Sequence, residues 1–129
     1  MMRGLTHVRW IVHDMSSMIA FYQDTLGFKL VIDVPGTYAE IDTGGARVGI
    51  CTAGLMAAVV GGPVATVPGD DVVLQIRVDD VDAAAAFVRA KGVPLVTAPH
   101  DQPAWLMRIA HVRDPAGHLL ELFTPLARA

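Results

Sequence analysis

Apolar and polar residues alternate from Thr6 to His13, with Val8, Trp10 and Val12 on one side and His7, Arg9 and Ile11 on the other. This period of two predicts a strand with one buried and one mixed face. Asp14 or Ser16 is placed to cap a following helix, whose stripe of Met15, Met18, Ile19, Tyr22 and Leu26 has helical spacing. Gly27 suits the residue just past its end. Short strands are predicted over Phe28–Val34, Tyr38–Asp42 and Arg47–Thr52, with turns at Pro35-Gly36 and Gly44-Gly45. The Gly-, Pro- and Ala-rich stretch 53–70 reads as a linker, with one helical turn near Leu55–Val60. The pattern then starts again. Val72–Val78 puts Leu74, Ile76 and Val78 toward a core and Val73, Gln75 and Arg77 away from it. A helix follows with the stripe Val81, Ala84, Ala85 and Val88, ended by Gly92, and strands are predicted over Val93–Thr97, Leu106–Arg113 and His118–Thr124.

The second half repeats the first. DMSSMIAFY (14–22) aligns with DVDAAAAFV (80–88) at an offset of 66, GFKLV (27–31) with GVPLV (92–96) at 65, and DTGGARVGI (42–50) with DPAGHLLEL (114–122) at 72. Two copies of a βαβββ unit are therefore expected, module one over about 5–52 and module two over about 71–126, within one domain spanning 1–129. Each helix covers one face of its sheet and leaves the other bare, and a bare face bearing Trp, Ile and Phe must be buried. The expected fold is α+β, two tandem βαβββ modules whose sheets curl around a shared groove.

Bulk properties narrow the function classes. The 129 residues are 53% hydrophobic, enough for a substantial core, yet contain no apolar run long enough to span a bilayer. The opening MMRGLTHVRW lacks a signal-peptide apolar region, and the single cysteine, Cys51, has no internal partner for a disulfide. A cytoplasmic setting is expected. The net charge is −3 and the basic residues are scattered, so neither a nucleic-acid nor a membrane partner is expected.

Candidate chemistry lies on the groove side. His7 is expected there from the first strand and Glu121 from the last, since Leu120 and Leu122 take the core side. The repeat places Val73 at the position equivalent to His7 and Gly49 at that equivalent to Glu121. The motifs LTHVRWIVHDM, FYQDTLGFKLV, RVDDVDAAAAFVRAKGV and VRDPAGHLLELF, which together span nearly the whole chain, resemble those of the vicinal oxygen chelate superfamily. That superfamily includes glyoxalases, bleomycin-resistance proteins, fosfomycin-resistance enzymes and extradiol dioxygenases. The resemblance implies that metal-dependent members place ligands at these four positions. His7 and Glu121 match; Gly49 and Val73 do not. Divalent ions are usually held by at least three protein donors, so His7 and Glu121 form an incomplete metal site. Cys51 lies on the same strand face as Gly49. His111 is a minor candidate: a four-residue turn over Asp114–Gly117 would pair Glu121 with Ala110 and turn His111 to the helix side, whereas a bulge would reverse it. The same pairing sets Arg108 opposite Phe123 on the groove face. With Arg9, Gln75, Arg77 and Trp105 these residues form an expected substrate-binding lining suited to a planar or acidic organic molecule.

Plainer readings stand beside these. On these, His7 is a hydrogen-bonded structural residue, Glu121 only pairs with His7, Arg9 or Arg108, and Trp105 is loop packing. The leading expectation is a small-molecule-binding protein of the bleomycin-resistance type, a homodimer, with no cofactor. The alternative is a metal-dependent lyase, isomerase or dioxygenase in which a divalent ion polarises vicinal oxygens and a carboxylate moves a proton. A third is a metal-free enzyme in which Glu121, with His7, is catalytic.

Overall fold

A computed structural model describes residues 1–64, 70 and 72–126. The chain is α+β and divides into two compact units, Met1–Val67 and Pro68–Ala129, with the boundary inside the expected linker. The first unit runs β1 (His7–Val12), α1 (Met15–Ala20), β2 (Lys29–Val34), β3 (Tyr38–Asp42), β4 (Arg47–Thr52) and α2 (Ala53–Val60). The second runs β5 (Val73–Arg77), α3 (Val81–Ala90), β6 (Leu95–Gln102), β7 (Met107–Arg113) and β8 (Leu119–Pro125). Each forms a four-stranded mixed sheet of matching order, β1-β4-β3-β2 and β5-β8-β7-β6, whose first and last strands pair in parallel.

The duplication is visible in the caps. Asp14 accepts a hydrogen bond from the Ser17 N–H at 3.1 Å, and Asp80, 66 positions later, accepts one from the Ala83 N–H at 3.0 Å. Each side chain satisfies a backbone donor that the first helical turn leaves over. Beyond α1 the chain continues as a π-turn over Phe21–Thr25, with the Leu26 N–H reaching back to the Phe21 carbonyl at 2.9 Å. Met15, Met18 and Tyr22 from the expected stripe are buried, and the Trp10 indole N–H donates to the Tyr22 hydroxyl at 3.2 Å. That bond puts Trp10, Ile50 and Ile41 on the helix-covered face, as the alternation predicts. In the second unit Val81 and Ala85 pack with Ala110 on the corresponding face. The helix near Leu55–Val60 is longer than one turn, running from a Thr52 cap to Gly61 at φ 87°.

Two sequence expectations are corrected. The strand expected over Val93–Thr97 begins at Leu95 and continues to Gln102, past Pro99. Proline lacks a ladder donor, so it is tolerated only at edges and bulges. β6 is an edge strand, and its register with β7 shifts between Thr97 and His100. The turn after β7 is also one residue longer than expected. Arg113 pairs with Leu119, not His118, and Glu121 pairs with His111, not Ala110. Asp114 causes the change: its buried carboxylate accepts from the N–H groups of Ala116 and His118, both at 3.0 Å, and meets His118 Nδ1 at 2.7 Å. His118 is thereby kept within the turn.

Candidate functional site

A one-residue register shift exchanges the faces of a strand, and this decides the site in the second unit. His111 stands on the open face beside Glu121, not on the helix side. Its Nε2 lies 2.9 Å from Glu121 Oε1, its Nδ1 lies 2.7 Å from Thr97 Oγ1, and Gln75 Nε2 donates to Glu121 Oε2 at 2.9 Å. A carboxylate only accepts, so Nε2 of His111 is the donor in its contact with Glu121. Glu121 is 8% exposed, and both its oxygens are engaged within its own sheet. The partners expected for it, His7, Arg9 or Arg108, are replaced by His111 and Gln75.

Arg108 is likewise corrected. It pairs with Thr124, not Phe123, and turns to the helix side, where Nε and Nη2 grip Asp82 at 2.8 and 2.9 Å and Nη1 meets Asp101 at 2.9 Å. These hydrogen bonds hold the Asp82 carboxyl below its usual pKa and raise that of Arg108. Trp105 lies in an exposed 3₁₀ turn, Pro103–Trp105, instead of on a strand face. Arg77 and Phe123 are register partners on the Glu121 face, as the alternation predicts.

In the first unit the open face is organised around a residue the sequence reading passed over. Glu40, on β3, is 6% exposed and collects three partners: His7 Nε2 at 2.6 Å, the Tyr38 hydroxyl at 2.8 Å and Arg47 Nη1 at 3.0 Å. Desolvation is the largest influence on Glu40 and pushes its pKa up. The hydrogen bonds from Tyr38 and Arg47, with the nearby charges of His7 and Arg47, outweigh it and leave the pKa lowered. The Tyr38 pKa is raised, first by burial and then by its bond to Glu40. The alternation in YAEID, with Ala39 and Ile41 fully buried, was the signal for Tyr38 and Glu40.

Gly49 sits between Arg9 and Glu40 in the register. A Cβ there would come within 3.2 Å of the Tyr38 hydroxyl oxygen and 3.4 Å of Arg9 Cγ. The place of a metal-ligating side chain is thus closed by an aromatic ring and a cationic arm. Arg9 lies over the Tyr38 ring, its Cζ 5.3 Å from the centroid. Cys51 is buried on the same strand face. The residues at the four ligand-equivalent positions do not fit a divalent ion. Gly49 and Val73 offer no donor, His7 is held by Glu40, and Glu121 by His111 and Gln75. Among the described residues no three His, Cys, Asp or Glu side chains are grouped to hold a metal. No helix among them is long and apolar enough to cross a membrane.

Residues 4–122 match the model of the Glyoxalase/Bleomycin resistance protein/Dioxygenase superfamily. The chain belongs to this superfamily. It is 32% identical over 126 residues to the uncharacterized protein YraH of Bacillus subtilis, covering 95% of this chain and 98% of YraH. A glyoxalase/bleomycin resistance protein/dioxygenase from Nocardioides superposes with a TM-score of 0.83 at 25% identity, covering all of this chain and 87% of the other. TnmS3, an antibiotic binding protein from Streptomyces sp. CB03234, superposes with a TM-score of 0.70 at 27% identity, covering 96% and 97% of the two chains.

Proposed function

We propose that this superfamily member binds a small organic molecule on its open sheet face without a metal ion. The observation that carries this reading is the arrangement at Gly49, where Tyr38 and Arg9 occupy the space of a ligating side chain. A guanidinium at that point repels a divalent cation and attracts an organic anion. Both carboxylates on the two open faces are tied by hydrogen bonds, which favours recognition over proton transfer. The likeness to an antibiotic-binding protein supports the same reading.

Two measurements test it. After dialysis against Zn²⁺, Ni²⁺, Mn²⁺ or Fe²⁺, the protein should carry no stoichiometric metal, and a thermal-shift screen of small organic acids and natural-product antibiotics should yield binders. One tightly held ion per chain, lost in His7→Ala, would overturn the metal-free reading. A screen without binders would overturn the ligand reading. A homodimer belongs to the same proposal, because α2 exposes apolar side chains, with Val60 63% exposed. Light scattering showing only monomer at micromolar concentration would remove it.

A further inference from the structure

The first unit contains a cleft of about 230 Å³ between the sheet and α2, lined by Arg9, Tyr38, Cys51, Leu55, Met56 and Val59. Its walls are of two kinds. Leu55, Met56 and Val59 come from one side of α2, while Arg9 and Tyr38 come from β1 and β3. Thr52 closes β4 and caps α2, so the helix follows the sheet without an intervening loop. The thiol of Cys51 lies buried among these residues, donating to the Thr52 carbonyl at 3.3 Å.

Polar groups in the cleft differ in how far they are already used. The Tyr38 hydroxyl is spent on Glu40, whose charge is offset by His7 and Arg47. Arg9 enters no ion pair among the described residues; it lies over the Tyr38 ring and is hydrogen-bonded to the Tyr38 side chain. The cleft therefore presents one uncompensated cation, one aromatic face and an apolar helix. Size narrows the occupant further. A cavity of roughly 150 Å³ takes up benzene, so the volume here suits one substituted ring and excludes a polycyclic molecule from entering whole.

We infer that this cleft is a binding site for a monocyclic aromatic carboxylate, with the ring between Tyr38 and α2 and the carboxylate on Arg9. The assignment rests on the small-molecule-binding reading above and names its site and ligand class. The planar guanidinium fork receives the two carboxylate oxygens in parallel, and the ring buries against Leu55 and Met56.

Calorimetric titration of the full chain with benzoate, its uncharged isostere benzamide, and acetate tests the assignment, with amide NMR shifts locating the site. Benzoate should bind more tightly than benzamide or acetate, with shifts concentrated at Arg9, Tyr38, Cys51 and α2. Arg9→Gln should weaken benzoate binding by about 10- to 100-fold, the worth of a charge-assisted hydrogen bond, and remove the preference over benzamide. Leu55→Trp should block both ligands by filling the cleft, and Val59→Trp, at a position 69% exposed, does so with less risk to folding. Benzoate bound equally by wild type, Arg9→Gln and both Trp variants, or shifts confined to the second unit, would overturn the site. Equal affinity for benzoate and benzamide would overturn the ligand class. If wild type binds other molecules in the screen but not benzoate, this inference falls and the broader reading stands. If it binds nothing, both fall.

Discussion

The two units share a strand order and differ in the three residues that cross the middle of each open face. In the second unit these are Gln75 on β5, Glu121 on β8 and His111 on β7. In the first they are Arg9 on β1, Gly49 on β4 and Glu40 on β3. Where the second unit has a central carboxylate, the first has no side chain. The space admits Tyr38 and Arg9, and the acid appears one strand over. Each face keeps one buried carboxylate and one histidine on it, joined at 2.6 Å in the first unit and 2.9 Å in the second. The backbone plan is conserved between the copies while the direction of the charge is not. In the first unit a cation, Arg9, borders Gly49 at the middle of the face; in the second the middle is closed by hydrogen bonds from His111 and Gln75 to Glu121, and Arg77 stands one pair further along, beside Phe123. This is why the ligand proposal falls on the first unit.

The largest difference between the copies should be in stability. Phe21 and Phe87 are equivalent in sequence, but Phe21 is 5% exposed and stacks edge-on with Tyr22, while Phe87 is 53% exposed beside Lys91. Phe21→Ala should cost about 3–5 kcal/mol, the usual price of emptying an aromatic site, and Phe87→Ala within about 0.5 kcal/mol. Urea unfolding of both variants checks this, and equal losses would show that the copies bury their helices alike.

Next in size are the carboxylates. Glu40→Gln removes a charge that three donors share and should cost about 2 kcal/mol, against about 1 kcal/mol for Glu121→Gln with its two partners. Glu40 also gives the difference a pH signature. Its folded-state pKa is lowered, so its contribution is present above the unfolded-state value and is lost as pH falls through the folded value. Wild type should lose stability on acidification below the ordinary carboxylate range more steeply than Glu40→Gln. Melting temperatures across that range will show it, and parallel acid limbs would contradict it. The smallest effect expected is that of Gly49→Ala. Its Cβ would press on the Tyr38 hydroxyl oxygen at 3.2 Å, costing about 1 kcal/mol of overpacking and weakening the Tyr38–Glu40 bond. An unchanged melt would mean that Tyr38 yields freely.

What the sequence disclosed was set by the range of each signal. The strands, the helix stripes and the Asp14 cap depend on residues one to four apart, and they were legible. So was the buried side of Trp10. The failures depend on pairing. Arg108 and His111 were misplaced because one turn was counted one residue short, and no periodicity within β7 carries that information. β6 was cut short because Pro99 reads as a breaker unless the strand is known to lie at an edge. Glu40 lay on the correct face of YAEID, but its three partners come from β1, from β4 and from two residues away on its own strand. The cleft was hidden for a related reason, since α2 is too uniformly apolar for its pattern to mark which side meets a ligand.

The Asp114 corner has a consequence for how this chain can change over time. Substitutions along β7 or β8 alter one contact each. A deletion between 115 and 117 would restore the shorter connection and exchange both faces of β7 together, driving His111 and Arg113 against α3 and expelling Ala110 and Val112 from the core. No single compensating substitution repairs such an inversion. In lineages descending from this chain, the letters at that corner are therefore free to drift around Asp114 far more than their number is. An engineer seeking a place to graft a peptide or a tag would do better at the Pro35-Gly36 turn, where both turn residues are exposed.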